Sequence, residues 1–177
     1  MGETKYGSYI IREPIARGKS APELHICGET HRFGEEYCPG SKFPGFPNEV
    51  TLFTVTEPCV VSARHSHNYD ELLYFIGGNP LDFFEFGAEA ELFLGEEDEK
   101  HIIDSTSIVY VPKGLMHCPI NFKKVDKPVM FMHICASPAY TRSRGDLTTG
   151  HPVERAKYSP EEANKLRGRA LPRDMAE

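Results

Sequence analysis

Apolar and polar positions in the middle of the chain alternate over short runs, and turn-forming residues separate the runs. Ala88 to Leu94 shows this most plainly, with Glu89 and Glu91 on one side and Ala90, Leu92 and Leu94 on the other. A period of two belongs to a strand with one buried face. Further β-like runs are Val50–Thr56, Val60–His67, Glu71–Ile76, Lys100–Ile103, Ser107–Val111, Cys118–Phe122 and Val129–Ile134. Gly77-Gly78-Asn79-Pro80 and the stretch Gly95 to Glu99 are turn signals between them. No helical period interrupts residues 49–136, so this part is expected to be an all-β sandwich or barrel.

The two ends read differently. Residues 1–48 hold isolated apolar clusters, Tyr9-Ile10-Ile11 and Leu24-His25-Ile26, between glycines and prolines. From Cys38 to Asn48 the prolines Pro39, Pro44 and Pro47 exclude a helix or a central strand, because each fixes φ and removes a donor. This predicts an N-terminal arm or ordered loop draped over the barrel. Beyond residue 137 the chain is polar and irregular until Ser159-Pro160-Glu161-Glu162, which supplies an N-cap, a proline at N1 and a glutamate at N3. A short C-terminal helix is expected from about Pro160 to Ala170, stopped by Pro172. The expected organisation is an arm (1–48), a barrel (49–136) and a tail (137–177) around one core.

Composition narrows the partners. At 177 residues, with 40% apolar and 26% charged positions, the chain suits one globular domain. Eleven Phe and eight Tyr favour pleated, half-buried surfaces. A net charge of −6 argues against a nucleic-acid partner, which needs a basic patch. No run approaches the ~18 apolar residues of a membrane span. The stretch Met1 to Lys19 lacks a secretory apolar region. Cys27, Cys38, Cys59, Cys118 and Cys135 are odd in number and contain no CxxC pair, which reads as reduced thiols in a cytoplasmic protein.

Candidate chemistry lies in two clusters. In His65-Ser66-His67-Asn68-Tyr69-Asp70-Glu71, positions 65, 67 and 71 share a face if the strand stays regular across Asn68 and Tyr69. Two imidazoles so spaced can chelate one ion, and the carboxylate can reach it. An HxH pair alone is weak, since ordinary surface or core placement explains many; Glu71 at the same parity strengthens it. In the second cluster Pro112 and Gly114 read as a tight turn, after which His117 opens a strand and can point inward. Three imidazoles and a carboxylate suit iron, manganese, zinc, nickel or copper and leave coordination positions open.

Other positions keep two readings. His133, in the apolar run Phe131-Met132-His133-Ile134, is either a base behind the ligands or a sheet-face histidine. His25 and His31 are either lid contacts or surface residues of the arm. Asp70 has the opposite parity and is expected outside the barrel, while Leu73 and Phe75 should line it. Phe83, Phe84 and Phe86 suit core packing, a dimer patch or a pocket wall. The eight acidic residues between Asp82 and Glu99 read as a solvated hairpin face. Cys118 should face away from the metal by alternation.

These clusters resemble the two motifs of the cupin superfamily, G-x5-H-x-H-x3,4-E-x6-G and G-x5-P-x-G-x2-H-x3-N. His65, His67, Glu71 and Gly78 match the first, and Pro112, Gly114, His117 and Asn121 the second, at the right spacing throughout. Cys59 and Thr106 stand where each motif has its leading glycine. The resemblance covers roughly residues 50–136. It implies a conical, jelly-roll barrel of two antiparallel sheets (a double-stranded β-helix), with one divalent metal near a mouth held by His65, His67, Glu71 and His117. It also implies a homodimer, in which the arm adds to the partner's sheet or covers its own barrel. The function expected is a metal-dependent enzyme acting on a small organic molecule, as isomerase, lyase, decarboxylase or dioxygenase. In it the ion serves as Lewis acid and Asn121 or His133 supports the ligands. The alternative is a non-catalytic module that binds a small ligand; no DNA-binding helix-turn-helix accompanies the barrel.

Overall fold

The computed structural model describes residues 5–10, 15–17, 22–26, 43–138 and 143–144. Its strands are β1 (Ile15–Arg17), β2 (Pro22–Ile26), β3 (Glu49–Val55), β4 (Cys59–Val61), β5 (His65–Ser66), β6 (Glu71–Gly77) and β7 (Ala88–Leu94), followed by β8 (Glu99–Ile103), β9 (Ser107–Val111), β10 (His117–Val125), β11 (Val129–Cys135) and β12 (Ser143–Arg144). β7 and β9 fall where alternation puts them. The expected strand Val60–His67 divides into β4 and β5, because Ser62 between them adopts a φ of 61° and turns the chain. The helix expected from Pro160 lies outside the described residues.

One sheet runs β1-β2-β3-β11-β6-β9, the other β12-β5-β10-β7-β8, with β4 also paired to β10. All pairings are antiparallel. Along the chain the two sheets take strands in turn: β3, then β4 and β5, then β6, then β7 and β8, then β9, β10 and β11. That alternation is a jelly roll whose sheets enclose a common interior. The arm contributes to it directly. β2 pairs with β3 of the same chain, Leu24 opposite Leu52 and Ile26 opposite Val50, and β1 pairs with β2. Residues 43–48 form no strand and contain a turn closed by Phe46 N–H donating to the Phe43 carbonyl at 2.9 Å. Among the described residues no helix is long and apolar enough to cross a membrane.

The interior is divided along its length. At one end Phe75 packs its ring against Phe86, Phe122 and Phe131, at centroid distances of 6.1, 6.1 and 5.2 Å, and Val55 and Val129 are buried with them. Tilted and edge-on contacts at these distances suit aromatic quadrupoles. At the other end the same sheets bury Glu49, Thr51, His65, His67, Glu71 and His117. Phe86 therefore belongs to the core, while Phe83 and Phe84 stand 63% and 78% exposed on the loop between β6 and β7 and pack no core. Gly78, beside that loop, has no room for a side chain: a Cβ there would meet the Pro128 carbonyl oxygen at 2.6 Å.

The aromatic end should carry much of the stability. Phe75 is fully buried, so Phe75→Ala is expected to cost about 3–5 kcal/mol in denaturant unfolding; a loss below ~1 kcal/mol would mean that the cluster is not the core.

Candidate metal centre

His65 and His117 are direct cross-strand partners, on β5 and β10. Residues so paired have side chains about 5 Å apart, and the two rings lie 4.3 Å apart. His67 is beyond the end of β5, and Glu71 is the first residue of β6, which belongs to the other sheet. The reading that 65, 67 and 71 share one face of a regular strand is thus corrected. The chain crosses between sheets at residues 67–70, and the crossing brings Glu71 to the two histidines from the facing wall. Tyr69, within the crossing, stacks on His67 at 4.7 Å and 11° between planes, which orients that ring.

The loop before β10 is tied to the crossing. Gly114 N–H donates to the His67 carbonyl at 2.8 Å, and Leu115 N–H to the Pro112 carbonyl at 3.0 Å. Gly114 has a φ of 85°, the left-handed value that glycine adopts without strain. Asp70 is exposed, as expected, and its carboxylate accepts Lys113 N–H at 2.8 Å, fastening the two loops together. Neither Cys59 nor Thr106 takes a positive φ, so neither position demands the motif's glycine.

The donor atoms of His67, Glu71 and His117 lie within 4.8 Å of one another, and so do those of His65, His117 and Cys118. Cys118 therefore does not face away. The pairing of β10 with β7 shifts by one residue between His117 and Ile120, and Cys118 takes a φ of 68°, so strict alternation fails at this point. His117, Ile120 and Phe122 consequently all point inward. Asn121 is carried to the opposite face, where its amide donates to Glu91 Oε2 at 3.4 Å, so it does not stand behind the ligands. His133 does approach the cluster, with Nδ1 3.1 Å from Glu71 Oε1. His25 sits in β2 opposite Thr51, and His31 is outside the described residues.

Distances at the centre fit an ion. Two donors bound at ~2.1 Å, at angles between a right angle and the tetrahedral one, stand about 3.0–3.4 Å apart. Glu71 Oε2 is 3.2 Å from His117 Nε2, inside that range, and 3.5 Å from His67 Nε2, just beyond it. Oε2 of Glu71 and Nε2 of His117 are both buried and lack a hydrogen-bond partner. Two buried polar atoms facing each other in this way have the arrangement of ligands to one cation. On their far sides, Nδ1 of His117 lies 3.0 Å from the Leu115 carbonyl and Nδ1 of His65 2.5 Å from that of Ala63. A proton on each Nδ1 leaves Nε2 with its lone pair for a metal.

Charge follows burial. Burial, and then His117 beside it, pushes His65 down to about 3 against the raising effect of the Ala63 carbonyl, so its ring is neutral. Burial opposes the charge on Glu71, but His117, His133 and His67 around it outweigh that and hold it well below the usual carboxylate range. Burial also opposes charge on His133, yet Cys135 and Glu71 raise it well above an ordinary imidazole. A neutral His65 and an anionic Glu71 offer a cation a lone pair and a negative charge.

Sequence reading missed three interior groups at this end. Glu49, Thr51 and Cys135 are buried, and Cys135 is the register partner of both Glu49 and Glu71. Glu49 sits at an expected strand's edge, and only the order β3-β11-β6 reveals the shared row.

No protein-family model and no curated relative matches the chain. Solved structures similar to it include oxalate decarboxylase from Bacillus subtilis, at 18% identity, 75% of this chain, 29% of that one and a TM-score of 0.45. A double-stranded β-helix protein from Klebsiella pneumoniae aligns at 14% identity, over 56% of this chain and 76% of that one, with a TM-score of 0.41. A cupin domain from Schizosaccharomyces pombe aligns at 9% identity, over 52% and 55%, with a TM-score of 0.39.

The depressed His65 sets the sign of one pH effect. The unfolded chain takes up a proton near 6.5, whereas the folded one resists it down to about 3. Metal-free protein should thus lose stability as pH falls from ~6.5 towards 3. Unfolding free energies measured at pH 7 and pH 5 are expected to differ less in His65→Asn than in the parent; an equal fall in both would contradict the assignment. Strand alternation between sheets, and both motifs at one end of the interior, give this chain the cupin-type double-stranded β-helix fold.

Proposed function

We propose that the chain is a metal-dependent enzyme acting on a small organic molecule, with one divalent transition ion held by His65, His67, Glu71 and His117. The observation that carries this is the burial of Glu71 Oε2 and His117 Nε2 at 3.2 Å from each other without a hydrogen bond. His65 joins them through its register with His117, and His67 through its 3.5 Å approach to Glu71. Imidazole nitrogen and a carboxylate oxygen suit zinc, iron, manganese, nickel or copper. Such an ion, when bound, acts as a Lewis acid that polarises a substrate oxygen.

The chain's own groups do the rest. Four donors leave two positions of an octahedral ion for substrate, which favours a molecule offering a pair of oxygens. Tyr69 and the carbonyls of Ala63 and Leu115 hold the imidazoles in place before anything binds. Such pre-orientation reduces reorganisation during reaction. Reaction types compatible with this chemistry are isomerisation, lyase cleavage, decarboxylation and dioxygenation.

A homodimer is part of the same proposal. Outward-facing positions of the first sheet form two apolar rows: Tyr110, Leu72, Ile134 and Val50 in one, Ile108, Tyr74, Met132 and Leu52 in the other. Ile108 and Tyr110, on β9 at the sheet's edge, are the exposed end of these rows. Apolar rows that end in two exposed side chains are the kind of surface that marks protein contact. Light scattering after size exclusion should give twice the chain mass, and Ile108→Glu should shift it towards the monomer. A monomeric parent would remove this part of the proposal.

Elemental analysis of protein purified without chelator tests the central part. About one transition-metal equivalent per chain is expected, and His117→Ala should lose most of it because it removes one of few ligands. No metal in the parent, even after reconstitution with iron, manganese or zinc, would contradict the proposal, and undiminished metal in His117→Ala would contradict that residue's role. Metal together with tight ligand binding but no turnover would select the binding-module reading.

A further inference from the structure

The two oxygens of Glu71 stand in unlike surroundings. Oε2 faces the Nε2 atoms of His117 and His67. Oε1 lies 3.1 Å from His133 Nδ1 and 3.6 Å from Cys135 Sγ, and those two atoms are 3.5 Å from each other. We propose that His133 and Cys135 clamp Glu71 by Oε1, so that it meets the metal through Oε2 alone and His133 acts as a positioning residue. The inference rests on the metal reading given above.

The clamp is built into the sheet. Cys135 is the register partner of Glu71, and His133 that of Leu73, so the two side chains flank the carboxylate from the neighbouring strand. β11, which carries both, lies between β3 and β6 and is hydrogen-bonded along both edges. On its far side the same rows continue into Glu49 and Thr51. Phe131 stacks behind His133, with centroids 6.4 Å apart and planes at 28°. A backbone held on both sides leaves the imidazole little freedom to swing away.

A second ion held by Glu71, His133 and Cys135 is the competing arrangement, since their donor atoms lie within 4.8 Å of one another. The contacts are already accounted for without it. An N–H···O bond of 3.1 Å is of ordinary length. Cys135 Sγ is placed to donate its S–H to Glu71 Oε1 at 3.6 Å.

The clamp has a chemical consequence. An unrestrained carboxylate can take two coordination positions on one ion, whereas one held by its second oxygen takes a single position. His133 and Cys135 thereby keep one more site of the metal available to substrate.

The test uses Co(II) alone, whose visible absorption reports coordination number. Affinity, stoichiometry and spectrum are measured for the parent, His133→Ala and His133→Asn, with the metal-free melting temperature of each. Asn is chosen because its amide N–H can occupy the place of Nδ1. The parent should bind one ion. His133→Ala should bind it about 10–100-fold more weakly, as loss of such partners does, and with an altered spectrum, while His133→Asn stays near the parent in both. Unchanged affinity and spectrum in a folded His133→Ala would overturn the clamp, as would His133→Asn failing as badly as Ala. Two ions in the parent and one in His133→Ala would make His133 a ligand and likewise overturn it. A parent that binds no Co(II) would instead overturn the metal reading on which the clamp rests.

Discussion

A buried carboxylate is the constraint around which this barrel is arranged. Glu71 is 4% exposed, carries its charge, and lies inside a β-structure whose other end is packed with phenylalanine. An ionised group removed from water is costly unless other groups replace its hydration. Here the replacement is partial. His133 and Cys135 meet one oxygen from the adjacent strand, while the other faces the imidazoles of His117 and His67 and has no hydrogen bond. The proposed divalent cation among the imidazoles would complete the balance.

The division of the interior into an aromatic end and a polar end follows from the same constraint. A cluster of ionisable groups contributes little net stability, because desolvation offsets much of the attraction. The phenylalanine cluster about Phe75, with Val55 and Val129, therefore has to hold the sheets together. Stability thus resides mainly at one end and chemistry at the other, and the strands that link them fix the donors at their spacing. The loop contacts from Gly114 to the His67 carbonyl and from Lys113 to Asp70 close the polar end without adding side chains to it.

The all-β character and most strand positions were legible in the alternation itself, and Ala88–Leu94 and Ser107–Val111 coincide with β7 and β9. Motif spacing also picked out His65, His67, Glu71 and His117; the fold brings the donor atoms of His67, Glu71 and His117 within 4.8 Å of one another and groups His65 with His117 and Cys118, although the parity argument for Glu71 assumed one continuous strand where the chain changes sheets. Alternation misplaced Cys118, and the motif resemblance put Asn121 behind the ligands; both differ from the structure for a single reason, a one-residue register shift after His117 that exchanges the faces of β10. Phe83 and Phe84, for which core packing was one reading, lie in solvent because they sit on the turn between β6 and β7 and not in a strand. Glu49 and Cys135 were not legible as part of the site, since their relation to Glu71 is set by strand order, which no local pattern encodes.

The account stands on the identity of the donors, which X-ray absorption at the metal edge reads directly. Protein loaded with one equivalent of Zn(II) is expected to show imidazole scattering from three rings and an oxygen, all at ~2.0–2.2 Å. A sulfur shell at ~2.3 Å would place Cys118 or Cys135 on the ion in place of Glu71, and a spectrum without imidazole would put the metal elsewhere; either result would contradict the account.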